Sequence, residues 1–349
     1  MITDSITTKR KISFIIGILS SVFFGYYALQ DFDWIVLKKI LITIDPLPLF
    51  FAFLANLIVY VLKAFRWKYF LPKDFLSTFK SRFSGVAIGY LFLSFMPMRL
   101  GDLIRPVYLA KLNRQLLRDS IVSVFIEKYY EAVTVFLLAL FLLKFIAIPN
   151  LEILSINFTL LSLGTIFGIG FLFFARPISQ MATALFRAVR LKFIATKLNT
   201  IIKSFEINFR IVRIVFLFGL TTIILFFDGL VFVFILKAMS TDISFFDCYL
   251  VMLITTLTNF IPSAPASVGV YHYFCRLGLT VFGISSAKAL SAAVIIHAFF
   301  FVFQVFIGII CIFWGPLKLN DILKGQQVKS GEITNLEPAR KNSKLVNKY

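Results

Sequence analysis

Three clusters of polar residues interrupt an otherwise apolar chain, and their types allow specific chemistry. The first lies in Phe95-Met96-Pro97-Met98-Arg99-Leu100-Gly101-Asp102-Leu103-Ile104-Arg105. A charge in a membrane is expensive unless it is paired or hydrated. Asp102 can pair with Arg99 or Arg105, which leaves one net positive charge. Freed backbone N–H groups at a helix start add positive potential. A phosphate suits that spot, and an Arg–Asp pair that merely staples the turn suits it equally.

The second cluster is Glu127, Lys128 and Glu131. Glu127 and Glu131 share a helix face by i,i+4 spacing, and Lys128 reaches Glu131 at i+3. These carboxylates could relay protons or balance Arg99 and Arg105. A self-paired, snorkelling cluster near the interface is the alternative. The third cluster is His272, His297 and Gln304, with Ser263 and Ser267 nearby. His297 and Gln304 are seven apart and share a face. A histidine titrates near neutrality, which suits proton coupling, although a packed histidine is as ordinary a reading.

The elements that position these groups are broken helices. Pro97 and Gly101 permit a turn where a regular helix would be costly, and Pro262, Pro265 and Gly269 do the same about 165 residues later. Breaks in matching places of two halves point to a transporter-like site at mid-membrane.

Composition makes the bilayer the solvent of this chain. It is 59% hydrophobic, has a mean hydropathy of +0.90 and contains 44 phenylalanines. Runs of about 20 apolar residues recur along it, which a soluble core does not need. The formal charge of +19 resides mainly between apolar spans, so anionic lipid at a cytoplasmic face explains it better than nucleic acid. Cys248, Cys275 and Cys311 lie in apolar segments with no CxxC spacing, so they read as packing residues. With two histidines in all, no metal site and no cofactor are expected.

The spacing predicts an all-α integral membrane protein with about six full spans: 12–30, 46–65, 120–143, 156–175, 212–236 and 286–314. The first follows Lys9-Arg10-Lys11 without a convincing cleavage site and reads as an uncleaved helix. Basic segments 63–82, including Lys63 and Arg66, and 176–213 are assigned to the cytoplasm, and acidic 31–45, 144–157 and 237–247 to the outside. This count turns 83–112 and 247–283 into two re-entrant helical hairpins entering from opposite faces. The halves 46–143 and 212–314 then form an inverted repeat. Residues 1–11 are expected in the cytoplasm, 12–316 in the membrane, 176–211 as a basic amphipathic linker, and 317–349 as a basic, disordered cytoplasmic tail. The expected location is the cell (inner) membrane.

In these pieces the chain resembles the transmembrane region of lysylphosphatidylglycerol synthases, including stand-alone flippase-like members. The resemblance runs over roughly residues 12–316. It is carried by Lys63-Ala64-Phe65-Arg66-Trp67, by Met96 through Arg105, by Glu127-Lys128-Tyr129-Tyr130-Glu131, by Ile261-Pro262-Ser263-Ala264-Pro265 through Gly269-Val270-Tyr271-His272, and by His297. The family usually has Gly-Glu at Gly101-Asp102, Glu-Arg-x-x-Asp at Glu127 to Glu131, and a glycine at Ala266. About 35 residues follow Trp314, too few for the synthases' soluble aminoacyl-transferase domain, so lipid aminoacylation is not expected.

What the resemblance implies is translocation of a charged or modified phospholipid, or a lipid-linked sugar, between leaflets. Two other functions stay open. The chain could be a non-catalytic membrane partner of a separate synthase or glycosyltransferase. It could instead be a membrane-embedded lipid-linked transferase using Asp31 and Asp33, a DxD that a solvated loop explains as simply. The reading therefore leans away from an enzyme, names a lipid as partner, and leaves the oligomeric state open.

Overall fold

The computed structural model describes residues 32–96, 99–113, 116–143, 211–261 and 263–314, with short stretches within 19–29 and 159–170. Pro97, Pro262, Asp31, the linker 176–210 and the tail 317–349 lie outside the described residues. The described residues are helical, joined by turns. In chain order the longer helices are α1 (Trp34–Thr43), α2 (Pro46–Phe70), α3 (Phe79–Phe95), α4 (Gly101–Leu112), α5 (Leu117–Leu142), α6 (Ile211–Ala238), α7 (Phe245–Leu257), α8 (Val270–Val281) and α9 (Ser286–Trp314). A further helical stretch covers 21–29.

Local chemistry sets several helix starts. Asp33 Oδ1 accepts from the backbone N–H of Ile35 at 2.8 Å and of Val36 at 3.2 Å, capping α1. Asp45 caps α2, where Pro46 occupies a position that needs no N–H donor. Thr78 and Ser81 close a reciprocal capping box at α3. The Asp31/Asp33 motif thus contributes a helix cap at Asp33.

Among the described residues, α2, α6 and α9 are long and apolar enough to cross a membrane. The chain is an integral membrane protein. α3, α4, α7 and α8 have 17, 12, 13 and 12 residues, each short of the ~20 that a full crossing takes.

The short helices form two packed pairs. In the first, α3 and α4 approach so closely that only glycine fits. A Cβ on Gly89 would lie 2.7 Å from Arg105 Cβ, and one on Gly101 would overlap the Leu93 backbone. Small residues let helix backbones approach this closely in membranes. α7 and α8 make the second pair.

The two halves share an element order and a packing plan. Each has a long helix, a short pair and a long helix: α2, α3–α4, α5, then α6, α7–α8, α9. α3 packs on α9 of the other half, and α7 packs on α5. α4 packs on α5, and α8 on α9. The corresponding helices α2 and α6 lie against each other and run antiparallel. The Asp45 N–H donates to the Ala238 carbonyl at 2.9 Å, and near the other end Arg66 reaches Thr221. Two large apolar clusters fill the interior, one with buried residues on α9 up to Ile296 and the other with buried residues there from Phe303, and a small third joins Val59 of α2 to Leu220 and Ile224 of α6.

Candidate functional site

The tips of the two short pairs meet. Arg99, in the first break, has φ 57°, the left-handed region that a side chain rarely adopts. Its Nε donates to Asp102 Oδ2 at 3.3 Å, and its Nη1 donates to Asn259 Oδ1 at 2.8 Å. Asn259 belongs to the 3₁₀ turn Thr258–Phe260 that ends α7. The second break continues through Pro265–Ser267 to Gly269, with φ of 55° at Ala266, 58° at Ser267 and 88° at Gly269.

A cavity of about 1000 Å³ of empty space, its open mouth included, lies where the breaks meet. Lys63, Arg99, Lys128, Glu131, Asp228 and His297 supply its ionisable wall, and Asn259 and Gln304 its amides. Lys63 faces Asp228 at 3.5 Å, and Lys128 faces Glu131 at 3.1 Å. Gln304 Oε1 accepts from Ser94 Oγ at 2.7 Å, joining α9 to α3. His297 Nε2 lies 2.9 Å from the Ala266 carbonyl oxygen, and His297 Nδ1 lies 3.2 Å from His272 Nε2.

Behind this wall sits a fully buried cluster. Glu127 accepts from Arg66 at Oε1, 2.8 Å away, and from Arg105 at Oε2. Arg66 Nη1 also donates to Thr221 Oγ1 at 2.9 Å. The Arg105 guanidinium lies over the Trp67 ring, 4.3 Å from its centre. Trp67 in turn donates through Nε1 to Ser123 Oγ at 2.8 Å. One carboxylate shared by two arginines leaves this buried cluster with one positive charge uncompensated.

Taken together, five cations (Lys63, Arg66, Arg99, Arg105, Lys128) meet four carboxylates (Asp102, Glu127, Glu131, Asp228), so one positive charge is in excess. A family model described as the lysylphosphatidylglycerol synthase TM region matches residues 14–308. The chain belongs to that family. No curated protein and no solved structure matches it.

Measured against the residues singled out from sequence, the structure gathers most of them but sorts them differently. Arg99, Lys128, Glu131, His297 and Gln304 line the cavity, with Asp102 attached through Arg99. Arg105 and Glu127 stand behind it, away from the cavity surface. His272 lies across the loop, on an apolar crevice formed with Val22, Leu29 and Val294. Pro265 opens a 3₁₀ turn, and Gly269 takes the left-handed conformation. Counting positive charge assigns Lys63 and Arg66 to a cytoplasmic loop. In the structure both are buried in the bundle, because Asp228 and Glu127 are within reach to neutralise them.

Sequence reasoning missed Asp228, Asn259 and Thr221. Asp228 did carry a signal. It is the one carboxylate in the 28-residue helix α6, and an ionisable residue inside such a helix is a functional candidate by default. Asn259 and Thr221 carry no signal along the chain; their partners come from other helices.

Proposed function

We propose that this protein moves a lipid with an anionic headgroup between the leaflets of the cell membrane. The headgroup occupies the cavity between the two helix breaks, and the acyl chains stay in the bilayer. The observation that carries this reading is the meeting of Arg99 and Asn259 at the rim of a polar cavity. The one excess positive charge stands behind the cavity wall, in the Arg66–Glu127–Arg105 cluster, and its field suits the one negative charge of a phosphodiester. Arg99, Lys63 and Lys128 face the cavity and would receive it. Asn259, Gln304 and Ser267 offer hydrogen bonds to the rest of the headgroup.

In this reading the pairs α3–α4 and α7–α8 are re-entrant hairpins entering from opposite faces, with six full spans around them and both termini cytoplasmic. Helices too short to cross support it, as do the antiparallel α2 and α6 and the matched packing of the halves. Opposed broken helices around a central site are a known transporter plan, and irregular backbone at that depth is tolerated where it lines a wet cavity. Arg105, Arg66 and Glu127 then act as positioning residues that hold α2, α4 and α5 in register behind the cavity.

The test is lipid exchange in proteoliposomes. A headgroup-labelled phospholipid should cross to the outer leaflet faster with the protein than without it, and Arg99→Ala should remove most of that gain. Equal rates with and without protein sink the proposal. Full activity of Arg99→Ala removes Arg99 from the headgroup site.

A further inference from the structure

A second open space lies across the second break from the polar cavity. It is an apolar crevice of about 780 Å³ of empty space, its open mouth included. Val22 and Leu29 of the helical stretch 21–29, Val268 of the break, and Leu290 and Val294 of α9 line it. Its two polar side chains already have partners. Ser21 Oγ accepts from the Ala264 N–H at 2.7 Å. His272 Nδ1 accepts from the Gly269 N–H at 3.3 Å, and its Nε2 meets His297. The crevice therefore offers a ligand hydrocarbon contact and no free polar side chain.

The walls are fixed in place. A Cβ on Gly269 would overlap the Ser21 carbonyl oxygen, so the stretch 21–29 rests directly on the second break. At the other end of that stretch, Arg276 Nη1 of α8 donates to the carbonyls of Tyr27 and Ala28, each at 2.8 Å. Val22, Leu29 and Val268 are exposed, so the crevice opens onto the bilayer.

Cavity and crevice share Ala264 as a wall. They are also stacked along α9. Leu290 and Val294, in its first third, face the crevice, while His297 and Gln304, about its middle, face the cavity. Leu290 and Gln304 are about 21 Å apart at 1.5 Å per residue. In the proposed topology the start of α9 lies toward the outside. A lipid with its headgroup in the cavity and a chain in the crevice thus points that chain outward, as a lipid of the cytoplasmic leaflet does.

We propose that the crevice seats one acyl chain of the lipid whose headgroup occupies the cavity, the lipid straddling the break at Ala264. The proposal rests on the translocation reading and adds to it a hydrocarbon subsite and loading from the cytoplasmic leaflet. The second chain stays in the bilayer. Lipid tails are as apolar as the crevice walls, so the seat supplies orientation and packing with no hydrophobic gain. The headgroup contacts are what hold the chain there.

The test uses the full chain in phosphatidylcholine vesicles. A trace of phosphatidylglycerol carries a diazirine midway along one acyl chain. After irradiation, label on residues 21–29 and 286–296 is divided by label on the exposed face of α6 at Ile223 and Phe226, which reports annular lipid. The expected ratio is about tenfold above that of a phosphatidylcholine probe with the same diazirine, and Arg99→Ala should remove that excess, the size of one lost charge-assisted hydrogen bond. Val294→Trp fills the crevice and should abolish the excess and slow exchange of the probe. Val22→Trp, at an exposed position, fills the mouth to the same effect should Val294→Trp fail to fold. Equal ratios for the two probes, or an excess that survives Arg99→Ala, mean annular lipid only and overturn the proposal. Exchange without excess labelling overturns the chain seat and leaves the translocation reading. Excess labelling without any exchange overturns the translocation reading and leaves the seat.

Discussion

Arg99 and Asn259 are 160 residues apart in sequence and 2.8 Å apart in space. Each sits at the end of a short helix that stops before it could cross a bilayer. Their contact joins the two breaks at the cavity rim. Replacing Asn259 with Leu should leave the fold intact, since Arg99 keeps Asp102. It should alter lipid exchange, measured in proteoliposomes as above.

Glu127 is the shared acceptor of two buried arginines. Glu127→Leu leaves both without a carboxylate. Breaking a buried ion pair by removing one partner costs about 3–5 kcal/mol. Thermal unfolding in detergent should show a large fall in Tm, or the variant should fail to accumulate. A Tm equal to wild type contradicts the role assigned to this cluster.

Lys63 and Asp228 face each other on the cavity wall. Lys63→Met and Asp228→Met should each lower stability by stranding the other charge. The double variant should recover part of the loss, with a coupling of about 0.5–3 kcal/mol in a double-mutant cycle. Strictly additive losses would separate the two residues.

Gly101 begins α4 against the Leu93 backbone, and no Cβ fits there. Gly101→Ala should push α4 away from α3 and lower Tm. Gly219 makes a control, because a Cβ there meets nothing within 4 Å. Gly219→Ala in α6 should be neutral or stabilising by up to about 1 kcal/mol.

Ala266 holds φ 55°. A non-glycine residue pays roughly 1–2 kcal/mol for the left-handed region. Ala266→Gly should therefore raise Tm slightly despite glycine's larger loss of chain entropy. A lower Tm would mean that the alanine methyl contributes packing that outweighs its strain.

Much of this was legible in the chain. Hydropathy predicts the long helices because span formation depends on the local sum of apolar residues. α3–α4 and α7–α8 fall within the expected segments 83–112 and 247–283, apart from extensions at their starts. The breaks are legible because Gly101 and Gly269 are where a Cβ or an ordinary φ cannot be accommodated. The i,i+3 pair of Lys128 and Glu131 is likewise a property of one helix.

The sequence by itself therefore determined that Arg99, Asp102, Arg105, Glu127, Lys128 and Glu131 interrupt apolar segments, and that they must find partners there. Only the tertiary structure decided which partners. Glu127 meets Arg66 from α2 and Arg105 from α4, Lys63 meets Asp228 from α6, and Arg99 meets Asn259 beyond α7. Hydropathy adds up along the chain. Ion pairing between helices depends on the rotation and depth of each helix, which packing against other helices sets.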